Sequence, residues 1–201
     1  LGLVISIDAG MVNGAANEFG NGNDTIATGI GRDMVFGGGG NDLINTWISG
    51  TGTAALDGNN IVFGDHGLVD YLAEEMEQGG IAANPRRTLD IDRVWSINTS
   101  MGGADTITAG DRNDIIIGGT GADAIFGGLG NVLTQLGSDI LIGDNALLTA
   151  AAFDDPTTPF SVHEFSICEI TTVGFEDEDG GSDVITAGDL NDVLFGGAGD
   201  D

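Results

Sequence analysis

Basic residues are nearly missing from this chain: of its 201 residues, 5 are Lys or Arg against 32 Asp or Glu, a formal charge of -27. Such a polymer repels nucleic-acid phosphates, and it resists its own compaction until cations neutralise it. Cysteine is reduced to Cys168, which excludes an internal disulfide framework and leaves a free, buried thiol as its expected role. No apolar run approaches the roughly eighteen residues of a membrane span. There is no initiator methionine and no basic leader, so neither a span nor a cleavable signal is expected. His66 and His163 stand alone, and no second histidine follows His163 and Glu164 at zinc-protease spacing. G-x-S-x-G is missing too, and the many G-x-G strings lack the strand, helix and distant acid of a dinucleotide site. No catalytic constellation remains, so the sequence does not read as an enzyme.

Glycine is abundant instead, at 36 residues, without the every-third spacing of collagen. At 41% hydrophobic residues the chain still holds apolar material for a thin core. The organising stretch reads M-G-G-A-D-T-I-T-A, G-D-R-N-D-I-I-I-G, G-T-G-A-D-A-I-F from Met101 to Phe126. It places Asp105, Asp114 and Asp123 nine residues apart, each followed two positions later by isoleucine (Ile107, Ile116, Ile125). The same register recurs at Asp24, Asp33 and Asp42, and at Asp183, Asp192 and Asp201. Glycines before the aspartate (Gly20 and Gly22, Gly29 and Gly31, Gly38 and Gly40, Gly103, Gly119 and Gly121, Gly181, Gly197 and Gly199) permit positive φ and turn carbonyl oxygens into a tight loop. Carbonyls joined by a carboxylate are what a hard cation such as Ca²⁺ takes, about six to eight oxygens at a time. The following x-U-x triplet, with U aliphatic, suffices for a short strand pointing one side chain inward.

This pattern resembles the RTX family, the haemolysin-type calcium-binding repeats of consensus G-G-x-G-x-D-x-U-x. The resemblance implies an all-β fold: a right-handed parallel β-roll (β-solenoid) in which two nonapeptides make one coil and Ca²⁺ sits between loops stacked on one side. Partners then lie eighteen residues apart, so Asp24 stacks with Asp42, Asp105 with Asp123, and Asp183 with Asp201. Carried further, the same column continues from Asp42 to Asn60, and from Asp123 to Asp139. Thr51 and Val132 then stand at aspartate positions and break the opposite column. Arg112 and Leu190 replace the second glycine of their loops and put the backbone geometry around Asp114 and Asp192 in doubt. Asp65 and Asp144, in F-G-D and I-G-D, join the candidate ligands, with Asp57, Asp111 and Asp189 as a secondary set. The acidic run Glu176 to Asp179 is either a solvated loop or an added ligand set, and it lacks the downstream glutamate of an EF-hand.

Between the glycine-rich segments the texture changes. Residues 66–100 and 146–180 read as β-hairpin insertions, with candidate strands at Leu68 to Ala73, Thr88 to Ile97, Leu147 to Phe153 and Phe160 to Thr172, and a turn at Pro156 and Pro159. Residues 1–18 read as the returning arm of an earlier hairpin plus a linker. Roll segments are then expected at 19–65, 101–145 and 181–201, giving a unit of about eighty residues in a piece of a longer repetitive chain. Trp47 is expected to cap the roll.

Clustered carboxylates and one buried aliphatic per nonapeptide do not offset about 1 to 2 kcal/mol of backbone entropy per residue. The roll is therefore expected to fold only when ions bridge its loops, because their binding free energy becomes folding free energy. At the affinities of extracellular calcium modules, about 10⁻⁴ to 10⁻³ M, it folds outside the cell. The resemblance adds type I secretion from a bacterium. Two roles fit: a structural element of a large secreted adhesin, biofilm-matrix, surface-layer or filament protein that self-associates through its hairpins, or the secretion and folding appendage of a toxin or hydrolase. Carbohydrate binding at Trp47 or Trp95 is a third.

Overall fold

Each aliphatic-centred triplet forms a three-residue strand. The computed structural model describes residues 3–5, 22–47, 57–71, 91–128, 137–150, 165, 167–174 and 180–201. Five such strands, β2 (Thr25–Ala27), β4 (Leu43–Asn45), β8 (Thr106–Thr108), β10 (Ala124–Phe126) and β14 (Val184–Thr186), stack in parallel in that order. Their centres lie in register: Ile26, Ile44, Ile107, Ile125, Ile185. A second parallel sheet runs β3 (Met34–Phe36), β5 (Ile61–Phe63), β9 (Ile115–Ile117), β11 (Ile140–Ile142), β15 (Val193–Phe195). It aligns Val35, Val62, Ile116, Leu141 and Leu194. The two rows meet in a one-residue-thick core of Val35, Ile44, Val62, Ile107, Ile116, Ile125 and Leu141.

The remaining strands form an antiparallel sheet of order β1 (Leu3–Ile5), β6 (Gly67–Asp70), β7 (Arg93–Ser96), β12 (Ala146–Ala150), β13 (Ile167–Thr172). The roll strands therefore stack as one continuous pair of sheets, although hairpins alternate with them along the sequence. The hairpins leave sideways and join one another. The β1–β6 pairing (Val4 opposite Val69) has the same antiparallel sense as β7–β12 (Val94 opposite Leu148). This sheet packs on the outer face of the second roll sheet, around Phe63, Val69, Ile91, Val94, Ile115, Ile117, Ile140, Ile142 and Leu148. The period-2 logic of a strand explains the division of labour. Triplets I-V-F, I-I-I and I-L-I are buried at all three positions because both faces are covered, whereas T-I-T buries only its centre.

Several expectations need correction. Leu148, Phe165 and Ile167, in an insertion expected to self-associate, are instead buried in the cluster between the antiparallel sheet and the roll. In β7 the buried residues are Val94 and Ser96, so Trp95 and Arg93 face outward, with the Arg93 guanidinium bonded to Asp70 at 2.6 Å and 5.8 Å from the Trp95 ring centroid. Cys168 is exposed, because alternation along β13 turns it away from buried Ile167. Thr51, Val132, Phe153, Phe160, His163 and Glu176 to Asp179 lie outside the described residues.

Arg112 and Leu190 do not disturb their loops. They take the left-handed conformation of the glycine they replace, with φ of 97° and 88°. A non-glycine residue there costs about 1 to 2 kcal/mol, and Leu190 is 60% exposed, so little burial offsets it. Leu190→Gly is therefore expected to stabilise the calcium-loaded chain by about 1 kcal/mol, a rise of about 2–4 °C in Tm for a chain of this size. Thermal unfolding at saturating calcium measures it.

Candidate metal centre

The loops joining the two roll sheets stack along both sides of the coil, and their closing residues make two hydrogen-bonded columns. In the first, each backbone N–H donates to the next Oδ1: Asp24 to Asp42 (2.7 Å), Asp42 to Asp105 (2.7 Å), Asp105 to Asp123 (2.7 Å), Asp123 to Asp183 (2.8 Å) and Asp183 to Asp201 (3.0 Å). The second column runs Asp33 to Asn60 (2.9 Å), Asn60 to Asp114 (2.7 Å), Asp114 to Asp139 (2.9 Å) and Asp139 to Asp192 (2.9 Å).

The three expected pairs at eighteen residues are all present. Asn60 and Asp139, however, belong to the opposite column from the one their spacing implied. The column after Asp42 passes across the first hairpin to Asp105, and the one after Asp123 passes across the second to Asp183. The second column is not broken, because Asn60 follows Asp33 directly. The reason is strand pairing: the apolar triplets after Asn60 and Asp139 pair with Met34–Phe36 and Ile115–Ile117, whatever the loop length in between.

Five of the column aspartates thus engage one carboxylate oxygen and leave the other without a partner. Asp42, Asp105, Asp114, Asp123 and Asp183 are buried, and the Oδ2 of each has no hydrogen-bond partner. A buried carboxylate oxygen without a partner is costly unless a cation or a proton satisfies it. Desolvation accordingly raises these groups: Asp105 to about 7, Asp123 to about 9, Asp183 to about 6, and Asp114 well above its ordinary value of 3.8. Asp139 is pushed up to about 7 by the same burial.

What surrounds these oxygens is more oxygen. A side chain at Gly37 would collide with both Asp42 Oδ2 and the Gly64 carbonyl; at Gly64, with Asp105 Oδ2 and the Gly118 carbonyl; at Gly118, with Asp123 Oδ2 and the Gly143 carbonyl; at Gly143, with Asp183 Oδ2 and the Gly196 carbonyl. The glycine that ends each strand thus lets a carboxylate and the next coil's carbonyl approach together. Sequence reasoning missed these five glycines, although F-G or I-G at every such strand end was the signal. It also missed asparagine ladders beside the columns, where Asn41 N–H donates to Asn23 Oδ1 and Asn113 N–H to Asn59 Oδ1.

The other candidates are placed as follows. Gly29, Gly31, Gly38, Gly40, Gly119, Gly121, Gly197 and Gly199 have positive φ; Gly22, Gly103 and Gly181 do not, and neighbouring coils press on Gly103 and Gly181 while Gly22 has open space around it. Gly20 is outside the described residues. Asp57 accepts the Asp111 N–H at 2.9 Å beside Trp47, which lies against Gly110, and burial raises Asp57 to about 6. Among the described residues Asp189 has no comparable stacked partner, and Asp65 and Asp144 use both oxygens for backbone N–H groups.

Residues 20–47, 99–132 and 179–201 match the family model of the RTX calcium-binding nonapeptide repeat in 4 copies. The chain carries RTX calcium-binding nonapeptide repeats. Its repeats bind Ca²⁺, several ions across the stack, and mark a calcium-binding module of a secreted protein. No curated protein and no solved structure matches significantly. The RTX match omits the coils through Asn60 and Asp139, which the columns nevertheless include. Among the described residues no three His, Cys, Asp or Glu side chains converge as a metal cluster. An RTX loop does not need such a cluster: the paired carboxylate and carbonyl oxygens described above are an all-oxygen set, fitting a hard cation and offering nothing to zinc or copper.

Proposed function

We propose that the two columns are the calcium ligand sets: Asp24, Asp42, Asp105, Asp123, Asp183 and Asp201 on one side, and Asp33, Asn60, Asp114, Asp139 and Asp192 on the other, completed by the loop carbonyls. The observation that carries this reading is the unpartnered Oδ2 of Asp42, Asp105, Asp123 and Asp183, each facing a carbonyl of the next coil, joined on the other side by the unpartnered Oδ2 of Asp114. Asn60 supplies no charge, so its level holds calcium more weakly than that of Asp105 and Asp123.

Calcium then folds the roll outside the cell, and the folded roll is a stiff element of a large adhesin, biofilm-matrix, surface-layer or filament protein. The self-association in this reading is supported by an outward row on the antiparallel sheet, where Leu68, Trp95 and Leu147 lie side by side and Trp95 is 37% exposed. Sedimentation and electron microscopy at millimolar calcium are expected to show assemblies that Trp95→Glu disperses. Monodisperse single particles at all concentrations contradict the assembly role and leave the calcium sites standing.

A further inference from the structure

Two buried aspartates stand apart from the columns. Asp65 and Asp144 follow β5 and β11, in F-G-D and I-G-D, at the two points where a hairpin leaves the roll. Each sits where the neighbouring loops carry a second glycine. Unlike the column aspartates, each has both carboxylate oxygens occupied. Asp65 Oδ1 accepts the Gly103 N–H at 3.2 Å and its Oδ2 accepts the Thr120 N–H at 2.5 Å. Asp144 repeats the arrangement with the N–H groups of Gly181 and Ala198.

The donors belong to different coils. Gly103 lies in the loop where the chain re-enters the roll after the hairpin, and Thr120 in the loop one coil further on. The carboxylate is walled by glycine: a side chain at Gly102 or Gly119 would strike Asp65, and one at Gly180 or Gly197 would strike Asp144. A carboxylate that accepts two backbone N–H groups has its near lone pairs engaged and gains charge-assisted bonds.

We propose that Asp65 and Asp144 are metal-independent clasps. Each ties the re-entering loop to the next coil through its own carboxylate, at the levels where an insertion interrupts the run of glycine loops, while the column aspartates wait for calcium. The inference rests on the reading of the unpartnered Oδ2 atoms as calcium ligands, and it removes Asp65 and Asp144 from that set. It also explains why an acid replaces glycine only at the two exits.

The test compares the full chain, Asp65→Asn and Asp123→Asn at saturating calcium, reading bound calcium by equilibrium dialysis and amide exchange by NMR. Asparagine offers one acceptor oxygen in place of two. Asp65→Asn is expected to bind as many ions as the original chain, while exchange at Gly103 or Thr120 quickens on the order of tenfold, the cost of one lost hydrogen bond. Asp123→Asn is expected to lose calcium. Loss of an ion in Asp65→Asn, or unchanged protection at both amides, overturns the clasp. Should Asp65→Asn not fold, Asp144→Asn carries the same comparison at Gly181 and Ala198. A folded original chain that takes up no calcium defeats the ligand reading instead, and the exchange at the two amides alone then decides the clasp.

Discussion

Asp123→Ala is expected to raise the calcium concentration needed for folding by about tenfold or more, whereas Asp24→Ala raises it only slightly. Asp123 sits between Asp105, whose N–H it accepts at 2.7 Å, and Asp183, to which its own N–H donates at 2.8 Å. Its removal leaves a buried N–H without an acceptor and takes a carboxylate from the ions above and below it. A hydrogen bond to a charged group contributes about 1.5–3 kcal/mol, and every 1.4 kcal/mol is about tenfold in affinity. Asp24 is exposed and has a neighbour on one side only among the described residues. Asp123→Asn separates geometry from charge, because Asn60 already accepts the Asp33 N–H at 2.9 Å in the second column. It is expected to keep the stack and lose affinity. Calcium titrations followed by circular dichroism make the comparison, and equal midpoints for Asp123→Ala and Asp24→Ala contradict the column assignment.

The second large effect is acid rescue of the metal-free chain. Burial lifts Asp183 to about 6, Asp105 and Asp139 to about 7, Asp65 to about 8 and Asp123 to about 9, against 3.8 in the open chain. The folded roll therefore binds more protons than the unfolded chain, and its stability falls as pH rises. The proton contribution is fully present below about 4 and is lost as pH climbs through about 6 to about 9, where these groups ionise in the fold. In chelator, β-structure is expected near pH 4 and absent near pH 8. Calcium competes with protons for the same oxygens, so calcium binding to the protonated fold releases protons, and the calcium concentration needed to fold the chain is expected to rise with pH as the proton contribution is lost. A metal-free chain equally folded at both pH values contradicts this.

Much of the fold was legible because several demands coincide in each nonapeptide: a glycine turn, an aspartate, an aliphatic centre. The pairs 24 with 42, 105 with 123 and 183 with 201 followed from the nine-residue spacing once the family resemblance implied two nonapeptides to a coil. Spacing failed where the loop length departs from the period, before Asn60 and before Asp139. There the better guide was the triplet itself. Ile61–Phe63 and Ile140–Ile142 are apolar at three successive positions, which marks strands covered on both faces, while Thr25–Ala27 and Thr106–Thr108 carry polar or small flanks that face solvent. That distinction places Ile61–Phe63 and Ile140–Ile142 in the second sheet, and so Asn60 and Asp139 in the second column, without counting residues. The antiparallel sheet was harder to foresee, since the joining of one hairpin to the next is a long-range pairing that no local pattern encodes. Asp65 and Asp144 read as ligands in sequence, where residue type does not reveal that each of their carboxylate oxygens accepts a backbone N–H in the fold.

The central claim is that calcium supplies the cohesion this acidic, thinly cored chain lacks, and circular dichroism of the full chain at neutral pH, in chelator and then in millimolar calcium, tests it most directly. The account predicts little β-signal before calcium and a cooperative gain on its addition; a chain equally ordered in both contradicts it.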